Sequence, residues 1–156
     1  MHSRTAGNAR SLADRLGAEF PAVAFRVAES VEDALADAEI VNCATSSEKP
    51  LFALSALPEN VHVNAIGSFR PSMRELPGEL LATASLVVVD QIGAALEEAG
   101  EIIEAVEDGL LDRASIVELG AVLREPPAVS GRTVFKSVGV AAQDWAIARS
   151  LAGYEE

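Results

Sequence analysis

Three runs of apolar residues constrain the fold more than any other feature of the sequence. SLVVVD (85–90) places three valines in succession, and EIVNCAT (39–45) and VHVNAI (61–66) are almost as apolar. Runs that are apolar at odd and even positions alike are typical of strands buried on both faces. The sequence therefore predicts a parallel sheet that is sandwiched between helices.

Helical patterns alternate with these runs. Ala9, Leu12 and Leu16 recur at helical spacing, with Gly17 as the predicted stop, and Ser30 is a predicted cap for a helix over 31–38. Further helices are predicted at 92–105, 114–123 and 138–152, and AVAFRVA (22–28) is a short β-type run. Such alternation predicts an α/β fold with right-handed crossovers.

Composition narrows the class of protein. The chain has 156 residues, enough for one domain, and a formal charge of −12, which disfavours binding to nucleic acid. The only cysteine is Cys43, so an internal disulfide is impossible. We find no apolar run near the ~20 residues that a membrane span needs and no signal peptide, and we expect a cytoplasmic protein.

Small or polar residues follow three of the predicted strands, as Thr45-Ser46-Ser47, Gly67-Ser68 and Asp90-Gln91. In an open parallel sheet the carboxyl ends of the strands form one rim, where ligands bind. A nucleotide could lie there, with Gly67 allowing the backbone to approach it. Turn geometry alone also favours Gly and Ser after strands, so composition leaves both interpretations open.

The other polar residues have plainer interpretations. We expect Arg70, Arg74 and Glu75 to be solvated loop charges, Lys136 to be exposed, and the acidic group at 97, 98, 101 and 104 to form a solvated helix face. His62 is expected to pack within its strand with a bonded ring nitrogen. His2 and His62 have no partners at metal-ligand spacing, so no metal site is predicted.

Three blocks of the sequence resemble the ornithine cyclodeaminase/mu-crystallin family: HVNAIGSFRPSMREL, SLVVVDQIGAALEEAGEI and TVFKSVGVAAQDWAIA. They occur in the family's order, and with SRT near the start and ADAEIVNCATSS the resemblance covers nearly the whole chain. It implies a nicotinamide-cofactor-binding domain of the Rossmann type. Family members are ketimine reductases, cyclodeaminases and amino-acid dehydrogenases, and they are usually homodimers.

The resemblance also implies which residues contact the cofactor. The strand-end residues that match the family's nicotinamide side are Thr45, Asn64, Ala65, Ile66, Gly67, Ser137, Val138 and Gly139. The last three begin the final helix, where free N–H groups could receive a carboxamide oxygen or an anion. We therefore expect the Gly67 and Ser137 backbones to lie close together. Arg4 and Thr5 match the segment at the adenosine ribose, and Arg4 in the absence of an acid favours NADP over NAD.

The sequence departs from the family pattern in ways that limit its activity. Phe69 stands where cyclodeaminases carry a proton-handling Asp, so the imine-reducing branch fits better. The first strand, its glycine-rich loop and the substrate-binding N-terminal domain have no counterpart. We therefore expect a partial Rossmann-like sheet in a single incomplete domain (1–156), whose last helix (138–156) would pack on the missing domain and leave Trp145 and Tyr154 exposed.

Two functions follow from this resemblance. In the first, NAD(P)H delivers hydride to the C=N carbon of a cyclic imine or imino acid, and this chain is the C-terminal part of an enzyme whose other half could come from a separate chain. In the second, the chain is a non-catalytic remnant or a ligand-binding module. We assign no catalytic residue from the sequence.

Overall fold

Five parallel strands form one sheet in the computed structural model, which describes residues 1–153. The strands are β1 (Ile40–Cys43), β2 (Val61–Ala65), β3 (Leu86–Val89), β4 (Ile116–Glu118) and β5 (Arg132–Lys136). Their spatial order is β1-β2-β5-β3-β4, and every neighbouring pair is parallel. The predicted α/β class and the three predicted apolar strands are confirmed.

The described residues also form seven α-helices. They are α1 (Ala6–Glu19), α2 (Val31–Leu35), α3 (Gly78–Thr83), α4 (Ile92–Glu98), α5 (Gly100–Glu107), α6 (Leu119–Arg124) and α7 (Ala141–Leu151). Of these, α3 to α6 lie between strands. The Ser30 side chain accepts a hydrogen bond from the backbone N–H of Asp33 and caps α2, as predicted. Among residues 1–153, no helix combines the length and the apolar content that a bilayer crossing requires.

One face of the sheet carries the hydrophobic core. Alternate residues of β2 are fully buried, and they share a cluster with valines of β3 and β5 and with apolar side chains of α3 and α5. The buried residues that fill the centre of this cluster are Val63, Ala65, Leu80, Val89, Ile102 and Val134. The strand register therefore sets which side chains meet on this face.

The opposite face of the sheet carries a ladder of polar side chains across three strands. His62 contacts Thr133 Oγ1 through Nδ1 at 2.8 Å and Asn64 Oδ1 through Nε2 at 3.1 Å. Asn64 in turn donates from Nδ2 to Asn42 Oδ1 at 2.8 Å. The expectation that His62 packs with a bonded ring is confirmed, and its bonds link β2 to β5.

Several predicted element boundaries are wrong. The run 22–28 forms no strand. It bonds instead to Met1, whose amino group donates to the Arg26 carbonyl oxygen and whose carbonyl oxygen accepts from the Ala28 N–H. Gly17 does not stop α1, which continues to Glu19. The last helix begins at Ala141 rather than 138.

Two predicted helices are also divided differently. The helix expected at 92–105 is broken at Ala99, whose backbone is extended with φ −85° and ψ 98°. The next residue, Gly100, lies so close to the loop after β2 that a Cβ atom there would be 2.3 Å from the Met73 carbonyl oxygen. The segment expected to be helical at 114–123 contains β4, which is only three residues long and precedes α6. A strand this short leaves no periodicity to detect.

Helix α7 has no buried residue, and Trp145, Ile147 and Leu151 are 63%, 64% and 85% exposed. The expected exposure of Trp145 is therefore observed. The same expectation for Tyr154 falls outside the described residues.

Gly67 is required by the packing of two strand ends. A Cβ atom at this position would lie 2.1 Å from the backbone nitrogen of Thr45 and 2.2 Å from its carbonyl oxygen. Both neighbours are backbone atoms and cannot rotate away. The backbone that approaches Gly67 closely is therefore the chain's own, in the loop after β1.

We predict that Gly67→Ala lowers the free energy of unfolding by about 3 kcal/mol, because the methyl group forces the loops after β1 and β2 apart. Gly17→Ala is the matched control: outside its own helix the nearest atom is a Phe25 ring carbon at 3.9 Å. Alanine in a helix should raise stability there by about 0.5–1 kcal/mol. Urea denaturation measures both, and equal effects would contradict this role of Gly67.

Candidate functional site

Four strand ends meet at one rim of the sheet. The register pairs Cys43 with Ala65, Ala65 with Lys136, and Lys136 with Val89. The residues that follow these strands therefore lie side by side, and the backbone N–H of Ser137 donates to the Ala65 carbonyl at 3.1 Å. Gly67 and Ser137 therefore follow neighbouring strands at the same rim, and not opposite edges of the sheet.

Glu75 binds the first two strand ends from below the surface. Its side chain is fully buried. Oε1 accepts hydrogen bonds from the backbone N–H and the hydroxyl of Thr45, at 2.5 and 2.8 Å. Oε2 accepts from the backbone N–H groups of Gly67 and Ser68, at 2.7 and 3.3 Å. The expectation of a solvated Glu75 is wrong, because its carboxylate replaces water as the acceptor for three backbone donors.

A second buried acid and a buried base lie beside Glu75. Lys136, at the end of β5, donates to the backbone oxygen of Ser68 and to its Oγ at 2.7 Å, and its Nζ lies 3.6 Å from Glu101 Oε1. The Ser68 hydroxyl donates to Glu101 at 2.8 Å. Burial lowers the pKa of Lys136, while the charges of Glu101 and Glu75 oppose that shift.

The surface positions predicted for Lys136 and Glu101 are therefore wrong. Both side chains lie on the core face of the sheet and are about as inaccessible as the valines around them. Glu97, Glu98 and Glu104 of the same acidic group are exposed as expected. Glu104 also forms an ion pair of 2.5 Å with Arg74.

Asp90 holds the loop between β5 and α7. Its Oδ2 accepts hydrogen bonds from the Ser137 hydroxyl at 2.8 Å and from the backbone N–H groups of Val138 and Gly139 at 3.1 and 3.0 Å. The expectation of free N–H groups at this point is wrong for Val138 and Gly139. The carboxylate occupies the place that was predicted for an anionic or carbonyl ligand group.

The sequence-predicted cofactor residues fall into three groups. Thr45, Ile66 and Gly139 are exposed at the rim, and Gly67, Ser137 and Val138 are partly buried beside them. Ala65 is fully buried and Asn64 turns its side chain into the polar ladder, so these two present backbone only. Arg4 and Thr5 are exposed just before α1, on the segment that bonds to 26–28 rather than at a strand end.

Sequence reasoning missed the acids and the base that organise the rim. Asp90 ends a predicted strand, and that position was a usable signal. Glu75, Glu101 and Lys136 bond to residues 7 to 68 positions away in the chain, and local patterns carry no information on such pairs.

Cys43 is not a reactive thiol, and the described residues contain no cluster suited to a metal ion. Burial, followed by the charges of Glu75 and Glu101, raises the pKa of the Cys43 thiol to about 12, so it stays protonated as an ordinary core residue. Among residues 1–153, no group of three His, Cys, Asp or Glu side chains is placed to hold a metal ion.

A parallel sheet with glycine, serine and threonine at the carboxyl ends of its strands is the architecture of Rossmann-like nucleotide-binding domains. Comparison with known proteins makes this specific. Residues 1–154 match the model of the ornithine cyclodeaminase/mu-crystallin family, and the chain belongs to that family.

Individual relatives agree with this assignment. The chain is 38% identical to a Delta(1)-pyrroline-2-carboxylate reductase of Bacillus cereus, over 97% of this chain and 47% of the relative. It is 34% identical to ketimine reductase mu-crystallin of Mus musculus, over 96% of this chain and 44% of the relative. The chain therefore spans about half the length of the relatives it matches.

A solved structure extends the comparison to the fold. Delta(1)-pyrroline-2-carboxylate reductase of Thermococcus litoralis, in complex with NADH and L-proline, matches with a TM-score of 0.87 and 26% identity. The match covers 95% of this chain and 47% of that one. The Rossmann-like fold and the nicotinamide cofactor class expected from the sequence agree with this relative.

We predict that Glu75→Gln lowers the free energy of unfolding by about 2–3 kcal/mol, because the amide nitrogen would face backbone N–H groups and leave buried donors without an acceptor. Glu79→Gln is the control, since Glu79 is exposed in α3. Denaturant titration of both variants measures the difference. A Glu75→Gln protein as stable as the control would show that the carboxylate is not needed.

Proposed function

We propose that this chain provides the nicotinamide side of an NAD(P)H-dependent imine reductase, which transfers hydride to the C=N carbon of a cyclic imino acid. The observation that carries the proposal is the rim, where Thr45, Gly67 and Ser137 come together in a member of this family. The B. cereus and T. litoralis relatives, both named for reduction of pyrroline-2-carboxylate, support this substrate class.

The rim offers open space at Gly139 and an apolar surface at Ile66, against which a flat ring could lie. Gly139 has a φ of 82°, and a Cβ atom built there would have no heavy atom within 4 Å. Ile66, which is 53% exposed, offers an apolar surface beside Gly67. The family resemblance assigns Thr45, residues 64–67 and residues 137–139 to the nicotinamide, and when bound the cofactor supplies the hydride.

The described side chains would position the reactants and exclude water. Asp90 fixes residues 137–139, and Glu75 fixes the loops after β1 and β2, so the site is formed before a ligand arrives. Ser137 uses its hydroxyl hydrogen on Asp90, and its oxygen accepts from the Gly139 N–H at 3.1 Å, which leaves one oxygen lone pair as an acceptor for a carboxamide N–H. Ile66 and Phe69 would shield the imine from water.

Phe69 favours reduction over loss of ammonia. It is 45% exposed beside the rim, and the Arg70 guanidinium carbon lies 5.3 Å from the centroid of its ring. An aromatic ring cannot accept a proton from a substrate amine, which is the role that the family resemblance gives to Asp at this position. The imine-reducing branch therefore fits this chain better than the cyclodeaminases.

We further propose that the cofactor site is completed by a segment that pairs with the free edge of β1, either in the same polypeptide or in a separate chain. Among the described residues β1 has one neighbour, β2, and Ile40 is 63% exposed. The chain also spans only 47% of the B. cereus relative, and the sequence contains no GxGxxG motif for a pyrophosphate. The family's usual homodimer is expected for the completed enzyme.

The proposed activity can be tested on protein purified from its native source through a chromosomal C-terminal tag. We expect oxidation of NADPH, followed at 340 nm, when Δ1-pyrroline-2-carboxylate or its six-membered homologue is added. Mass spectrometry of the intact protein should show either a polypeptide with a mass above 16.3 kDa or a co-purified partner chain. If the purified protein has a mass of 16.3 kDa, carries no partner chain and melts cooperatively, the proposal of a completing segment is contradicted. If the protein does not bind NAD(P)H at about 1 mM, the proposed activity is contradicted.

We propose that Arg4 gives the cofactor site a preference for NADP over NAD. We predict that Arg4→Ala weakens NADPH binding by about tenfold, one charge-assisted contact to a 2′-phosphate, and leaves NADH binding unchanged. Arg10→Ala is the control, because Arg10 is an exposed cation of α1. Calorimetric titration of both cofactors measures the ratio. Equal losses for NADPH and NADH would contradict a 2′-phosphate contact.

A further inference from the structure

Lys136 is a charged residue that lies among the apolar side chains of the core. It ends β5, the central strand, and its side chain is 0% exposed on the core face. No ligand at the rim could touch its ammonium group. Any contribution of Lys136 to a bound cofactor must therefore pass through the residues that the ammonium binds.

Those contacts converge on Ser68. The Lys136 Nζ donates to the Ser68 backbone oxygen and, at 2.7 Å, to Ser68 Oγ. The Ser68 hydroxyl donates to Glu101, and the Ser68 N–H donates to Glu75 at 3.3 Å. Every polar group of Ser68 thus has a buried charged partner, and its peptide planes are fixed on both sides.

Ser68 lies between exposed residues of the rim. Ile66 and Phe69 are 53% and 45% exposed, while Ser68 is 0% exposed. A fixed residue at this place determines where the backbone of the neighbouring residues stands. Lys136 also precedes Ser137 directly, so one residue joins the β2 loop to the β5 loop of the rim.

Stability alone does not account for this arrangement. A buried ion pair loses so much solvation that a well-packed apolar pair is often as stable or more stable. Lys136 is faced by Glu101 from α5, by Glu75 from the loop after β2 and by Asp90 from the end of β3. An apolar cluster fills space without fixing the orientation of a peptide group. Hydrogen bonds from Lys136 to two atoms of Ser68 do fix that orientation.

We propose that Lys136 is a positioning residue for the nicotinamide site: it holds the Ser68 peptide so that the Gly67–Phe69 backbone stands against residues 137–139. The inference rests on the proposed function for its ligand. The part of the proposal that concerns the backbone, that Lys136 holds Ser68 in place, rests only on the contacts of Ser68 and not on a ligand.

The test uses native tagged protein with three variants: Lys136→Met, Lys136→Met with Glu101→Gln, and Arg132→Met. The double variant removes the cation together with its ion-pair partner, so that Glu101 is not left as an unpaired carboxylate, while Glu75 keeps its hydrogen bonds from Thr45, Gly67 and Ser68. Arg132 is the matched control, because it lies at the opposite end of β5 and its guanidinium donates to the Pro58 and Leu57 carbonyls, both at 2.9 Å. Melting temperature, amide hydrogen exchange in peptides covering 66–75, and the Kd for NADPH are measured on each.

We expect Lys136→Met to melt below the native protein and the double variant to recover most of that loss. Exchange at 66–75 should nevertheless stay at least about tenfold faster in the double variant, and its Kd for NADPH about tenfold higher, as for one lost charge-assisted hydrogen bond. Arg132→Met should lower the melting temperature and leave both other values unchanged.

Two results would overturn the proposal. If the double variant keeps the native exchange rate at 66–75 and the native Kd for NADPH, Lys136 only fills space. If Arg132→Met raises the exchange rate at 66–75 as much as the double variant does, the effect is a general loss of stability. Failure of the native protein to bind NAD(P)H contradicts the proposed function instead. In that case the exchange rate at 66–75 still decides whether Lys136 holds the rim.

Discussion

The geometry of the rim depends on one buried carboxylate. Glu75 accepts hydrogen bonds from three backbone N–H groups and one hydroxyl, which belong to the loops after two different strands. Without it these donors would face a closed interior without water. Ser68, bound to Glu75, carries the connection to Lys136 and the central strand. Asp90 then performs for residues 137–139 the task that Glu75 performs for Thr45 and Gly67. The exposed rim residues Thr45, Ile66, Phe69 and Gly139 are uncharged, and the carboxylates and the ammonium group that shape the site lie beneath them.

The sequence predicts the centre of this fold well and its margins poorly, for physical reasons. Val87, Val88 and Val89 form an apolar run because that strand has neighbours on both sides, and the same holds for 61–65. The run 22–28 has a similar composition but no strand to pair with in the described residues. Strand β4 is too short to show a period. The prediction that Lys136 is exposed fails for a different reason. A lysine just before Ser137 and Gly139 resembles the exposed start of a helix, and only its distant partners, Ser68 and Glu101 of α5, show that it is buried.

The family assignment and the site geometry contribute different parts of the functional argument. The match over residues 1–154 identifies the family, whereas the register of β1, β2, β5 and β3 places the matching residues at one rim. The two disagree at one point: the N–H groups of Val138 and Gly139, expected to be free, bind Asp90. An acid that already holds these donors gives the loop its shape before any ligand binds. Under the proposed function, a nicotinamide would contact the side chains and carbonyls on the outer surface of the loop.

The polar ladder on the second face of the sheet has a consequence for how the chain folds. Hydrophobic burial alone discriminates weakly between valine-rich strands, because any of them can pair with any other in several alignments. His62, Asn64, Asn42 and Thr133 find their partners in only one alignment of β1, β2 and β5. A slip by one residue would turn these side chains into the apolar core and expose valines in their place. The ladder thus favours the native register of β1, β2 and β5, on which the geometry of the rim depends.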